Sequence, residues 1–124
     1  MTQIIYTTGQ TVRGQSVWRI NANGSLGTLT LQSNDNVSLR GSITFEDSGG
    51  QADQIEGGWD DAEGKITFTR FLGDTGATQT YTGFLGNNHP EQLLLAGSFT
   101  ESDVPANAPR TSFAWFASSP ILIR

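Results

Sequence analysis

One arginine stands where the pattern around it has glycine. Four segments share the frame apolar-x-Gly-x-apolar: Leu39-Arg-Gly41-Ser-Ile43, Ile55-Glu-Gly57-Gly-Trp59, Tyr81-Thr-Gly83-Phe-Leu85 and Leu95-Ala-Gly97-Ser-Phe99. Phe68-Thr-Arg70-Phe-Leu72 keeps the frame and puts Arg70 at its centre. Side chains two apart on a strand share a face, so Ile66, Phe68, Arg70 and Leu72 are expected to point inward, and Thr67, Thr69 and Phe71 outward. A guanidinium sent inward cannot shed its proton to escape desolvation. It must find a carboxylate, backbone carbonyls, water or an anionic ligand. Gln79, Tyr81, Phe45 and Phe99 fall in the same inward phase towards the same end. Together they would form an apolar pocket with a few convergent polar groups, the usual form of a small-molecule site. Arg70, Gln79 and Tyr81 are the expected ligand-binding residues, with Phe45 and Phe99 as walls. The competing reading of Arg70 is an internal pair with Asp53, or a bulge that turns its strand over.

The remaining chemistry is sparse. His89 is the only histidine and sits in a turn, where it completes neither a catalytic triad nor a metal site. Asp60, Asp61 and Glu63 crowd one turn but lack the ligand pattern of a calcium loop. No phosphate loop or nucleophile elbow occurs. By phase, the acidic residues fall at turns or on the outer face, so no carboxylate pair for glycoside hydrolysis is expected. No catalytic residue, metal site or cofactor is expected, and an enzyme is disfavoured.

The elements that must position these groups are strands. The five frames, centred on residues 41, 57, 70, 83 and 97, lie 13 to 16 residues apart, one strand plus one turn per step. Strands are expected near 2–8, 15–20, 26–32, 36–46, 53–59, 65–72, 77–85, 92–100 and 111–117. Alternation places Val37, Leu39, Gly41, Ile43 and Phe45 on one face and Ser38, Arg40, Ser42, Thr44 and Glu46 on the other. Turn residues punctuate the joints, as in Asn21-Ala-Asn-Gly24 and Gly73-Asp-Thr-Gly76. The expected fold is one all-β domain over 1–124, an antiparallel up-and-down (meander) β-barrel of about eight strands, since closure removes exposed sheet edges. A two-sheet sandwich is the competitor.

In a meander, successive turns alternate between the two ends. The connections at 21–25, 46–52, 73–76 and 101–110 share one end and include the two longest, so this end is the expected mouth. Mid-strand glycine packs nothing, so its repetition means either tight strand bending or a hollow interior. On the opposite phase, Phe71, Phe84, Leu94 and Ala96 would make an outer apolar patch, the expected homo-oligomer interface. The tail Ile121-Leu-Ile123 adds to the apolar surface.

Composition narrows the partners. The chain of 124 residues carries a net charge of −5 without a Lys/Arg cluster, which disfavours nucleic acid. No run approaches the ~18 apolar residues of a membrane span. Cysteine is absent, so no disulfide forms. The opening Met1-Thr-Gln-Ile-Ile-Tyr6 lacks the regions of a secretion signal, so a cytoplasmic location is expected unless an upstream signal has been removed.

Trp18 followed by Asn21 to Gly24-Ser25, then Leu39-x-Gly41, Ile55-x-Gly57-x-Trp59-Asp60 and Thr80-Tyr81-Thr82-Gly83 resemble the avidin family of eight-stranded barrels, within the calycins. The resemblance runs over residues 17 to 100. It implies an eight-stranded barrel, and it implicates Asn21 or Asn23 and Ser25, because the family's first-hairpin Asn and Ser hydrogen-bond biotin. The strands that would carry the biotin-caging tryptophans, 65–72, 77–85 and 92–100, contain none here. An interior arginine holding a carboxylate, as in fatty-acid-binding calycins, parallels Arg70 by analogy.

The expected function is non-enzymatic binding of a small, largely apolar ligand whose anionic or polar group lies near Arg70. The alternatives are a filled barrel acting through its outer surface, or a carbohydrate-binding module with exposed rings at a loop end. A homodimer or higher homo-oligomer is expected.

Overall fold

Alternating apolar and polar residues close this chain into a single ring of strands. The computed structural model describes residues 12–73, 75–88 and 92–120. The strands are β1 (Gly14–Ala22), β2 (Ser25–Ser33), β3 (Ser38–Phe45), β4 (Ala52–Asp60), β5 (Lys65–Phe71), β6 (Thr78–Asn88), β7 (Gln92–Glu101) and β8 (Ser112–Pro120). One short 3-10 turn, Glu46–Ser48, follows β3. Each strand pairs antiparallel with the next, and β8 returns to β1 through Arg19↔Ser118 to Ala22↔Trp115. The chain is therefore an all-β, closed, up-and-down barrel of eight strands, and the sandwich is excluded. The strand expected at 2–8, His89 and the Ile121-Leu-Ile123 tail lie outside the described residues.

The interior is filled. Trp18, Ile20, Leu29, Leu31, Ile43, Ile55, Ile66, Phe68, Tyr81, Leu95 and Trp115 are all buried. Tyr81 stacks between two rings, with centroids 4.8 Å from Phe68 and 4.6 Å from Phe99. Trp115 meets Phe68 and Tyr81 edge-on, at 5.8 and 5.6 Å, an arrangement the ring quadrupoles favour. Its Nε1 donates to the Thr82 carbonyl at 3.1 Å, so the buried indole keeps a partner.

The glycine frames do not leave the middle of the barrel empty. A Cβ added at Gly41 or Gly97 would overlap the carbonyl oxygen of Thr30 or Thr82 on the neighbouring strand, and one at Gly57 would overlap that of Thr67. These glycines mark places where two backbones press together as strands bend round the barrel. Gly57 and Gly97 are themselves exposed, although the apolar residues two positions to either side, Ile55, Trp59, Leu95 and Phe99, are buried. Tight bending, not a hollow, accounts for the repeat.

Among the described residues the alternation slips at Val37. Val37 is 60% exposed although Leu39 is buried, because Asn36 adopts φ 60° and β3 begins only at Ser38. Asn36 is itself buried and its Oδ1 accepts from the Val12 amide at 2.9 Å, tying this turn across the lower end. Next to it, Asp35 Oδ1 accepts the amides of Ser38 and Val37 at 2.8 and 2.9 Å. These amides, Ser38's foremost, hold its carboxyl below the usual range.

Candidate functional site at the barrel mouth

Strand parity decides which side chains meet at the upper end. β1, β3, β5 and β7 all end there, and β2, β4, β6 and β8 begin there. The inward residues nearest those ends are Ala22, Phe45, Asp53, Arg70, Gln79, Phe99 and Phe113. Arg70 and Gln79 are direct cross-strand partners, as are Tyr81 and Phe99.

The polar groups form one connected network. Arg70 Nη2 and Nε reach Asp53 Oδ2 at 2.6 and 2.8 Å, and both side chains are nine-tenths buried. Arg70 Nη1 donates to Gln79 Oε1 at 3.0 Å, and the Tyr81 hydroxyl donates to the same oxygen at 2.8 Å. Gln79 Nε2 donates to Glu101 Oε1 at 2.5 Å. Asp53 Oδ1 also accepts the Gly73 amide at 3.4 Å, which holds the backbone just beyond β5 to the network. The guanidinium carbon lies 4.8 Å from the centroid of Phe45, a cation–π contact. Burial pushes the Tyr81 phenol up to about 12, against a smaller downward pull from Arg70.

Two expectations change here. Asp53 is neither at a turn nor on the outer face: its carboxylate turns inward and meets Arg70. Arg70 therefore does not stand as an open anion receptor, because its charge is balanced within the chain. The competing reading of Arg70, an internal pair with Asp53, is the arrangement found, and the phase of Asp53 with Ile55, two residues on, is the signal that agrees with it.

Above the network lies a cleft of about 200 Å³. Its walls are Phe45, Tyr81 and Phe99, and its floor is Arg70 and Gln79. Ala22, Asn23 and Ser25 from the first hairpin, Asp47 from the 3-10 turn, and Glu101 complete its rim. Of the residues singled out in the sequence, Arg70, Tyr81, Gln79, Phe45, Phe99 and Ser25 line this one cleft. Asn21 does not: its Oδ1 accepts the Gly24 amide at 2.8 Å and closes the hairpin turn, while Asn23 takes the place at the rim. Ser25 donates to Asp47 at 3.2 Å. Asp47 and Glu101 are rim residues that no motif pointed to. Asp60, Asp61 and Glu63 sit at the opposite end, where Asp60 accepts the Glu63 amide and Asp61 accepts the Trp59 indole, as a turn requires.

The outer apolar residues divide. Phe84 pairs with Lys65 and Ala96, and Ala96 pairs with Phe116, so these form one row across β6, β7 and β8 with Leu94 beside it. Phe71 pairs with Thr78 near the mouth, six residues along β5 from Lys65, or about 20 Å away at the rise of a strand. Phe71 is not part of that row, which corrects the expectation of one continuous patch.

The sequence matches no protein-family pattern and no curated protein. In three dimensions the chain is similar to a solved structure described as EF1p2_mFAP2b bound to DFHBI, at TM-score 0.57 and 10% identity, over 91% of this chain and 95% of that one. At that identity the likeness is one of fold. It sets this chain among eight-stranded barrels and does not single out the avidins.

Proposed function

We propose that this protein is a small-molecule-binding barrel that seats its ligand at the mouth, above Arg70, Gln79 and Tyr81 and between Phe45 and Phe99. The observation that carries this reading is the mouth cleft itself. It joins aromatic walls to a fixed hydrogen-bonding floor, the combination that orients small ligands. The likeness in fold to a barrel described as holding DFHBI supports the use of such a scaffold for a small molecule. Because Asp53 balances Arg70, the ligand's leading group is polar and neutral or donating, in preference to anionic. Amide chemical shifts recorded against a library of small aromatic fragments test this. Shifts are expected to concentrate at Ala22–Ser25, Phe45, Gln79 and Phe99; shifts concentrated elsewhere, or none, overturn it.

A second reading, a barrel acting through its outer wall, is supported by the row Phe84, Ala96 and Phe116, with both phenylalanines at least half exposed. Its occupant would be a second copy of the chain, related by a two-fold axis, since one flat sheet face can meet itself. The carbohydrate-binding alternative finds less support. Trp18, Trp59 and Trp115 are buried, so no tryptophan platform faces solvent.

A further inference from the structure

The mouth cleft is smaller than most small-molecule sites, which run to ~300–1,000 Å³. It does not end at its rim. Glu101 belongs both to the cleft and to a second, more apolar space of about 570 Å³ beneath the 102–111 connection. That space is lined by Val104, Pro105, Ala108, Pro109 and Phe113, with Glu101, Asp103 and Arg110 as its charged residues. Phe99 of the cleft and Phe113 of the second space are in ring contact, with centroids 5.5 Å apart. The overlying loop is shaped rather than loose. Pro105 and Pro109 restrict its backbone. The Ala108 amide donates to the Pro105 carbonyl at 3.0 Å. Arg110 lies over the Phe113 ring at 4.8 Å and donates to Asn23 Oδ1 at 3.3 Å, strapping the loop to the first hairpin.

The charges are unequal. Arg70 is matched by Asp53, and around the two spaces the acids Asp47, Glu101 and Asp103 outnumber the one remaining base, Arg110, with no salt bridge joining these four among the described residues. Building on the mouth-binding reading, we infer that the ligand class is an amphipathic amine. Its protonated head lies in the cleft between Glu101 and Asp47, and its apolar body lies against Phe113 under the loop. The two compartments together reach the usual size of a ligand site. A head with several N–H donors suits carboxylate acceptors.

Two probes with one ring system and opposite charges test this: naphthylmethylammonium and naphthylacetate, titrated into the intact protein and followed by amide shifts. A charge-assisted hydrogen bond gives the ammonium probe a roughly tenfold tighter Kd. Glu101→Gln keeps an acceptor for Gln79 and is expected to erase most of that advantage while leaving naphthylacetate unweakened. Ala108→Trp fills the space under the loop and is expected to weaken both probes. Equal affinities, or tighter naphthylacetate, with shifts at the mouth overturn the amine assignment and leave the mouth reading standing. Ammonium binding indifferent to Ala108→Trp overturns the second compartment. No binding of either probe at the mouth overturns both readings.

Discussion

Asp53 and Arg70 lie on neighbouring strands one diagonal step apart, since Ile55 is the direct partner of Arg70, and they close a 2.6 Å ion pair just inside the mouth. The pair does two things at once. It removes the desolvation problem of an inward arginine, and it fixes the guanidinium so that Nη1 faces Gln79. The floor of the cleft is thus set before any ligand arrives, which lowers the ordering cost of binding.

Breaking that pair from one side is expected to hurt more than removing it whole. Asp53→Ala leaves a nine-tenths buried guanidinium without its counter-charge and should destabilise the fold by about 3 kcal/mol. Asp53→Ala with Arg70→Met should recover much of that loss, because no unpaired charge remains. Urea unfolding of the three proteins measures it. A double variant no more stable than Asp53→Ala would show that the pair is worth more than its burial costs.

Alternation made much of this mouth legible. Period two placed Arg70, Gln79, Tyr81, Phe45 and Phe99 on the inner face, and the parity of the turns placed them at one end. Asp53 was legible only as the alternative partner of Arg70, because it sits one residue into β4, where phase and loop proximity argue oppositely. Asp47 and Glu101 reach the rim through a 3-10 turn and a strand end, which no periodicity describes. The path of residues 102–111, and with it the apolar space below, depends on contacts such as Arg110 to Asn23 across 87 residues of chain. The frame glycines showed where strands bend. Whether the missing side chains left a cavity or let backbones touch depends on neighbours that spacing alone does not identify.

The contact explanation for the glycines predicts a contrast. Gly41→Ala would drive a methyl group into the Thr30 carbonyl, and Gly97→Ala into that of Thr82. Each should cost several kcal/mol or prevent folding, on the scale of severe overpacking at about 1–3 kcal/mol or more. Gly86→Ala, on the same sheet, meets nothing within 4 Å and should stay within about 0.5 kcal/mol of the parent. Thermal unfolding followed by circular dichroism separates the two outcomes. A mild effect at Gly41 would return the hollow-interior explanation.

Tyr81 makes stability depend on alkaline pH. Its phenol ionises near 10.0 in the unfolded chain and at about 12 in the barrel, chiefly because burial disfavours phenolate. Unfolding therefore releases a proton between those values, and the unfolded state gains. The contribution is fully present below pH 10.0 and is lost as pH rises towards 12, a fall on the order of 2–3 kcal/mol. Denaturant titrations at stepped pH should show that fall, and Tyr81→Phe should flatten it. A phenolate absorbance change that is complete by pH 10.5 or so would contradict the burial of this hydroxyl, given a free tyrosine pKa of about 10.

The outer wall yields the last expectation. Phe84 and Phe116 project from β6 and β8 on either side of Ala96, and the ammonium of Lys65 stands 5.9 Å from the Phe84 ring at the row's edge. Covering each phenylalanine is worth about 1.5–3 kcal/mol before association costs. Two such rings on each subunit, meeting their symmetry mates, supply enough for a dimer in the micromolar range only if the flanking strands pack as well. Sedimentation of the parent protein should then show a dimer. Phe84→Glu, which sets a carboxylate in the middle of the contact, should shift it to monomer by at least tenfold in Kd. Phe71→Glu, about 20 Å away along β5, should leave the association unchanged. A parent that is monomeric at micromolar concentration, or a dimer equally sensitive to Phe71→Glu, would remove the Phe84 row as the interface.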